Sequence, residues 1–145
     1  VGTRGPVEQM TEKDFKLVFD LNVKAVMLTM AELIPRMKKQ GYGHIINISS
    51  MASKQGVPTM GVYAASKAAL NILSESAAKE VREDNIKISV LAPGSVDTPF
   101  AGRKLDPKKG RLAAANVAEA VVHLASQAHN AWTSFSEMRT LVTRK

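Results

Sequence analysis

The sequence contains no cysteine, which excludes disulfide bonds and thiolate metal ligands. It also has no apolar run near the roughly 18 residues that a membrane-spanning helix requires, and no visible signal peptide at its start. We therefore expect a cytoplasmic protein that binds neither a membrane nor a metal ion, although the lack of cysteine does not by itself establish the compartment.

Aromatic residues make up only 5% of the 145 residues, and none lies in the densest basic stretch of the chain. That stretch, 103–111, holds five cations within a formal net charge of +7. Binding of single-stranded nucleic acid usually combines positive charge with aromatic rings on which bases stack. We therefore expect a solvated surface at 103–111 and no nucleic-acid partner, with a bound phosphate group as a further explanation of the charge.

The spacing of apolar residues changes along the chain. Spacings of three and four predict helices, and short β-branched apolar runs predict strands buried on both faces. The predicted helices are 12–40, 62–83 and 116–126, and the predicted strands are 44–49, 87–91 and 137–143. This alternation predicts a parallel α/β sheet with right-handed crossovers, within one domain that spans 1–145. One edge of the first strand should then lack a partner.

Particular residues mark the ends of these helices. Thr11 and Asp14 have the spacing of a capping box at the start of the first helix. Pro35 should kink that helix near its end, and Gly41 should stop it. Asn116 is expected to cap the third helix.

Tyr63 and Lys67 lie four residues apart near the start of the second predicted helix, so their side chains share one face. A tyrosine hydroxyl has an ordinary pKa of about 10, and a neighbouring ammonium lowers that pKa because it favours the phenolate. Such a tyrosine exchanges protons with a carbonyl or alcohol oxygen. The spacing alone is also typical of an amphipathic pair on a helix surface, and by itself it favours that simpler interpretation.

Two further polar residues stand at informative positions. Ser50 follows the first strand, and ligands of open α/β sheets bind beyond the carboxyl ends of strands. Its hydroxyl suits either a substrate oxygen or an ordinary turn or cap. Asn22 lies on the apolar stripe of the first helix, where an unpartnered buried amide costs about 1–3 kcal/mol. It suits a bond to the helix backbone at a kink, a water that links the lysine to solvent, or a satisfied core asparagine.

Taken together, four residues match the catalytic tetrad of the short-chain dehydrogenase/reductase family in type, order and spacing: Asn22, Ser50, Tyr63 and Lys67. The segments 43–50, 63–70 and 93–99 also resemble the family's strand motif, its active-site helix and its cofactor loop. The likeness runs from about residue 2 to residue 141, and the chain is similar to 3-oxoacyl-(acyl-carrier-protein) reductase-like members.

The resemblance implies an α/β fold in which the chain forms the C-terminal portion of a Rossmann-like parallel sheet sandwiched by helices, a three-layer α/β/α arrangement. It implies an oxidoreductase that transfers a hydride between NAD or NADP and a carbonyl or secondary alcohol. Tyr63 would be the general acid/base, and Lys67 would lower its pKa and bind the nicotinamide ribose. Ser50 would orient the substrate oxygen, and Asn22 would support a proton-relay water.

The same resemblance assigns binding residues around this tetrad. The cofactor-binding residues would be Tyr63, Lys67, Pro93, Gly94, Val96 and Thr98. The substrate would contact Ser50, Met51, Ala52, Gln55 and Met60, together with the segment 100–112.

The family's glycine-rich turn after the first strand, which binds the pyrophosphate at a helix N-terminus, is not found in this sequence. The N-terminal strands are missing with it, about 90 residues at ~30 per strand–helix unit, and so is the residue that selects NAD or NADP. Because the sequence begins with Val1, we expect a part of a full-length enzyme rather than a natural short form, with little activity from this part alone.

Two functions are therefore considered. The first is the oxidoreductase, acting on a small-molecule substrate. The second is a non-catalytic module that associates through its long helices, since 12–40 and 62–83 resemble the pair through which family members form homodimers or homotetramers.

Overall fold

The structure is a computed structural model that describes residues 1–102, 104–105 and 110–141. Helices and strands alternate along the chain in the predicted order. The elements are α1 (Glu12–Phe19), α2 (Ala25–Gln40), β1 (Gly43–Ile48), α3 (Gly61–Val81), β2 (Ile86–Pro93), α4 (Ala114–Ala125) and β3 (Phe135–Met138). The assignment of 1–145 to a single partial domain stays a prediction.

The three strands form one parallel sheet in the order β1-β2-β3. β1 pairs with β2 up to Ile48 opposite Leu91, and β2 pairs with β3 up to Pro93 opposite Met138. Because the strands are parallel, their carboxyl ends lie at one edge of the sheet. Within the described residues the outer edge of β1 has no strand partner.

Helices cover both faces of this sheet. On one face, β2 joins α2 and α3 in a buried cluster formed by Met30, Ala77, Ala78, Val81, Ile86 and Ile88. Leu91 points to the opposite face because side chains alternate along a strand, and it is fully buried there. α4 packs against β1 and β2 on this second face and buries Leu124. The predicted three-layer α/β/α fold is confirmed.

The connections between the strands do not share one hand. The crossovers through α3 and through α4 both move the chain in the same direction across the sheet, yet the two helices cover opposite faces. Such crossovers have opposite hands, so the prediction of right-handed connections throughout is wrong. The long segment between Pro93 and Ala114 gives the chain the length to reach the second face, against the usual preference for one hand.

The first long helix is not a continuous α-helix. A π turn, Asp20–Lys24, separates α1 from α2, so the predicted helix over 12–40 contains one wider turn. π turns are rare and frequently lie at functional sites. This one carries the buried Asn22. Pro35 lies inside α2, where the expected kink stays a prediction, and Gly41, with a φ of 81°, ends the helix as expected.

The N-terminal cap predicted for α1 is confirmed, and the cap predicted for α4 is wrong. Thr11 and Asp14 form the predicted capping box. Asn116 is not the cap of α4, because that helix begins earlier, at Ala114. The Asn116 side chain lies within the first turn and accepts a hydrogen bond from the Ala113 amide at 2.9 Å.

β3 also lies earlier than the predicted strand over 137–143. Phe135 pairs opposite Val90, so the ladder starts two residues before the predicted strand. Residues 142–143 lie outside the described part of the chain.

Leu91→Ala should lower the free energy of unfolding by about 2–5 kcal/mol, because it opens a cavity at a fully buried side chain. The matched variant Leu141→Ala changes a fully exposed side chain and should leave stability within about 0.5 kcal/mol. Urea denaturation followed by circular dichroism measures both. Equal losses in the two variants would contradict the burial assigned to Leu91.

Candidate active site

A cavity of about 500 Å³ opens at the carboxyl ends of β1 and β2. Its walls come from the segments that follow these two strands and from the first turns of α3 and α4. Open α/β sheets bind ligands at this edge. The predicted site residues that line it are Ser50, Met51, Ala52, Gln55, Met60, Tyr63, Pro93, Gly94, Val96 and Thr98. Most of the predicted cofactor and substrate residues therefore lie around one cavity.

Ser50 stands just beyond the pairing of β1 with β2. The amide of Ser49 still donates to the Leu91 carbonyl, at 2.7 Å. Ser50 then caps a 3₁₀ turn, Met51–Lys54, and its Oγ accepts a hydrogen bond from the Ala52 amide at 3.1 Å. The same hydroxyl lies near enough to the Tyr63 hydroxyl to favour its phenolate form and so to lower its pKa. One hydroxyl thus caps a turn and faces the cavity, which is compatible with both interpretations of this serine.

Tyr63 lies in the first turn of α3 and is only 8% exposed. Its ring packs against Phe100, with the ring centroids 5.1 Å apart. Burial raises the pKa of the Tyr63 hydroxyl above its ordinary value, and the hydrogen bond with Ser50 opposes that rise because it favours the phenolate. The sequence predicts a pKa lowered by Lys67. The structure gives the opposite direction, because the effect of burial is the largest.

Lys67 lies one helical turn after Tyr63, behind the cavity wall. Its Nζ donates to the Ile48 carbonyl at 2.8 Å and lies 6.0 Å from the centroid of the Tyr63 ring. Burial lowers the pKa of the Lys67 ammonium, because a surrounding of low dielectric constant disfavours the charged form. An ammonium has three N–H donors, so the bond to Ile48 leaves further donors for a ligand.

Asn22 is buried in the π turn and has partners at both ends of its amide. Its Nδ2 donates to the Ser66 Oγ at 3.0 Å and to the Val1 carbonyl at 2.9 Å, and its Oδ1 accepts from the Val1 nitrogen at 3.0 Å. Ser66 in turn donates to the Tyr63 carbonyl at 2.7 Å. This geometry favours a satisfied buried amide that ties the π turn to the start of α3, and the relay water stays a prediction.

An ion pair at the base of the predicted substrate segment was not anticipated from the sequence. Arg111 Nη1 lies 3.1 Å from Asp97 Oδ1, and the two side chains are 14% and 16% exposed. Val96 pairs with Leu112 beside them. The sequence does contain a signal for this contact, because Asp97 and Arg111 place opposite charges at the two ends of one loop.

The cavity also includes side chains that the sequence did not indicate, namely Val57, Ala114 and Val117. The last two belong to α4, whose position on the second face of the sheet has no sequence signal. Among the described residues of the predicted segment 100–112, Phe100 lines the cavity. Residue 103 and residues 106–109, and with them most of the basic stretch 103–111, lie outside the described residues.

Comparison with known proteins supports the resemblance seen in the motifs. A family model described as short chain dehydrogenase matches residues 1–109. The chain belongs to the short chain dehydrogenase family. An uncharacterized oxidoreductase of Staphylococcus epidermidis is 34% identical over 110 residues, which are 76% of this chain and 48% of that protein. Retinol dehydrogenase 8 of Bos taurus is 39% identical over 106 residues, which are 73% of this chain and 34% of the bovine protein.

A solved structure of the alcohol dehydrogenase from the archaeon Thermococcus sibiricus, complexed with 5-hydroxy-NADP, matches with a TM-score of 0.90 at 28% identity. The match covers 100% of this short chain dehydrogenase and 61% of the archaeal chain. The chain therefore spans about half the length, or less, of the curated relatives it matches. Among the described residues, no helix is both long and apolar enough to cross a membrane.

The raised pKa of Tyr63 is directly measurable, because the chain has two tyrosines and the other, Tyr42, is exposed. In a Tyr42→Phe background, the phenolate of Tyr63 should titrate above the ordinary pKa of 10.0. Adding Ser50→Ala should raise that pKa further, because the hydrogen bond that favours the phenolate is lost. A spectrophotometric pH titration measures both shifts. A Tyr63 pKa at or below 10.0 would refute the effect of burial.

Proposed function

We propose that this chain is the catalytic part of an NAD(P)-dependent oxidoreductase that interconverts a carbonyl and a secondary alcohol by hydride transfer. The observation that carries the proposal is that Ser50 and Tyr63 line one cavity together, beyond the carboxyl ends of two parallel strands. Two hydroxyls that meet at such a place suit the binding and protonation of one substrate oxygen. Membership of the short chain dehydrogenase family supports the same class of reaction.

The residues beside this pair suit a nicotinamide cofactor. The Lys67 ammonium has further N–H donors behind Tyr63, which fit the hydroxyls of a ribose. The wall next to the tyrosine is formed by Pro93, Gly94, Val96 and Thr98. When bound, the nicotinamide supplies or accepts the hydride. The archaeal relative was solved with 5-hydroxy-NADP, and both NAD and NADP fit what this chain contributes.

The raised pKa of Tyr63 suits the direction of reduction. The Ser50 hydroxyl would donate a hydrogen bond to the substrate carbonyl, and the buried phenol would keep its proton until that oxygen gains negative charge. The substrate oxygen would then receive the Tyr63 proton while its carbon gains the hydride that a bound reduced nicotinamide would supply, which would leave an alcohol and a phenolate. The Lys67 ammonium behind the ring would stabilise that phenolate, and the Ser50 hydroxyl would do so once its one proton turns from the product oxygen to the phenolate. Oxidation of an alcohol follows the same steps in reverse.

The cavity walls favour an uncharged substrate with apolar substituents. Met51, Met60 and Phe100 contribute much of the lining, and none of the described wall residues has a charged side chain. A substrate carboxylate or phosphate would lose its hydration there without gaining an ion pair. Apolar ketones and secondary alcohols should therefore be better substrates than charged ones.

In a protein that also contains the N-terminal strands of the family, Tyr63→Phe should remove nearly all turnover and leave cofactor binding largely intact, because it removes one hydroxyl and keeps the ring that packs on Phe100. Loss of general acid/base catalysis lowers rates by about 10²–10⁴-fold. The absorbance of the reduced nicotinamide, followed with a panel of ketones and secondary alcohols, measures turnover, and cofactor fluorescence measures binding. Tyr42→Phe is the matched control and should keep full activity. Full activity of Tyr63→Phe would sink the assignment.

A second candidate function, association with another copy of the chain, is favoured by exposed apolar side chains on the long helices. Leu17, Leu21 and Leu28 are 46%, 52% and 54% exposed on the helix over 12–40, and Ile72 of α3 is 67% exposed. Burial of apolar surface stabilises association by about 25 cal/mol per Å². A homodimer or homotetramer would form through these helices, whether or not the chain is catalytic.

Leu17→Lys combined with Leu28→Lys should shift the particle mass measured by light scattering toward that of a monomer, because a charged side chain would have to be buried at the contact. Leu141→Lys, at a fully exposed position on neither helix, is the control and should change nothing. If the unaltered chain is already monomeric at high concentration, this second candidate is wrong.

A further inference from the structure

Asn71 lies on the same face of α3 as Tyr63 and Lys67, because the three residues follow one another at steps of four. It is not one of the residues that line the catalytic cavity, and it does not belong to the predicted tetrad. Its side chain nevertheless hydrogen-bonds Ser49 and Ser53, which lie on either side of Ser50 in the sequence.

The two ends of the Asn71 amide bind on either side of Ser50. Its Oδ1 accepts a hydrogen bond from the Ser49 hydroxyl at 2.5 Å, on the strand side. Its Nδ2 donates to the Ser53 hydroxyl at 2.8 Å, on the side of the 3₁₀ turn. One side chain of α3 therefore joins the end of β1 to the turn that follows it.

The connection continues from Ser53 to Ser50 itself. The Ser53 hydroxyl donates to the Ser50 carbonyl at 2.6 Å, and the Ser53 amide donates to the same carbonyl at 3.0 Å. Because a hydroxyl has only one proton, Ser53 donates to Ser50 and accepts from Asn71, so the direction of each bond is defined. The Ser50 Oγ, which accepts from the Ala52 amide, takes its position from the same turn.

We propose that Asn71 is a positioning residue, which holds the Ser50 hydroxyl against Tyr63 by binding Ser49 and Ser53 to α3. The catalytic meaning of this contact rests on the proposed function, whereas the geometry does not. Without Asn71, the Ser49 hydroxyl would keep only a long contact with the Lys67 carbonyl, at 3.4 Å. Ser53 would keep no hydrogen bond from α3, and the turn would be less firmly placed.

This arrangement links Asn71 to the proton donor without contact between them. Ser50 makes the hydrogen bond that opposes the effect of burial on the pKa of Tyr63. A Ser50 hydroxyl that is less well placed favours the phenolate less, so the loss of Asn71 should act on Tyr63 in the same direction as the loss of Ser50.

The first test is a titration of Tyr63 in the Tyr42→Phe background. Asn71→Ala should raise the Tyr63 pKa by most of the rise that Ser50→Ala produces. The double variant Ser50→Ala/Asn71→Ala should show no further rise, because Asn71 acts through Ser50. An unchanged pKa in Asn71→Ala, or a rise of the same size in the Ser50→Ala background, overturns the proposal.

Ser74→Ala is the matched control. Ser74 is buried on α3 and accepts a hydrogen bond from the Asn47 amide of β1 at 2.9 Å, so it also ties the strand to the helix, but away from Ser50. Its loss should lower stability and leave the Tyr63 pKa unchanged. If Ser74→Ala shifts the pKa as much as Asn71→Ala does, general loosening of the contact between β1 and α3 explains the effect and the proposal is wrong.

A second measurement at neutral pH avoids alkaline unfolding. The amides of Ala52 and Ser53 both bind Ser50, at its Oγ and its carbonyl, so their hydrogen exchange reports the turn directly. Asn71→Ala should speed exchange at both amides, and Ser74→Ala should not. Exchange at the unaltered rate in Asn71→Ala overturns the proposal.

Neither measurement depends on turnover. If the protein with its N-terminal strands present has no oxidoreductase activity and Asn71→Ala still shifts the Tyr63 pKa, the proposed function is refuted and the positioning role stays in place. If the enzyme is active and Asn71→Ala leaves both the Tyr63 pKa and the amide exchange unchanged, the positioning role is refuted and the proposed function stays in place.

Discussion

The parallel pairing of β1 with β2 is the constraint on which the rest of the site depends. It brings Ser50, just after β1, and Pro93 and Gly94, at the end of β2, to one edge of the sheet. α3 connects the same two strands and begins at that edge, which places Tyr63 of its first turn beside Ser50. A change of register by one residue would turn the strand side chains to the opposite faces and separate these groups.

α3 is bound to its surroundings by hydrogen bonds between serine and asparagine. Ser66 accepts from Asn22 of the π turn at 3.0 Å, and Ser74 accepts from Asn47 of β1 at 2.9 Å. Asn71 accepts from Ser49 at the strand end. Within the described residues no buried side-chain nitrogen or oxygen lacks a hydrogen-bond partner. The helix that carries Tyr63 is therefore fixed by directional bonds as well as by apolar packing, which sets its rotation and its height relative to the sheet.

Burial acts on Tyr63 and Lys67 in opposite directions. It raises the pKa of the phenol and lowers that of the ammonium, and in both cases it favours the neutral form. Burial therefore makes the phenol hold its proton more firmly, and the ammonium release its proton more readily, than either group does in water. Ser50 is the neighbour that favours the charged form of the tyrosine.

The order of the elements and the gathering of the site could be predicted from the sequence, because apolar periodicity and strand ends are local properties. Ser50 and Tyr63 come together since a strand end and a following helix start meet at one sheet edge. The face chosen by α4, and with it the wall residues Ala114 and Val117, could not be predicted, because nothing local encodes the hand of a crossover. The pKa of Tyr63 was predicted in the wrong direction because spacing shows which charge is near, whereas burial depends on the packing of distant segments such as Phe100.

The placement of α4 on the face opposite α3 has an evolutionary consequence. Tyr63, the proposed proton donor, lies in the α3 layer of the fold, and part of the cavity wall, Ala114 and Val117, lies in the α4 layer. The sheet lies between the two layers, so substitutions in α4 should reshape the cavity without directly disturbing α3. The architecture therefore allows the residues that shape the cavity to vary independently of the residues proposed to move the proton.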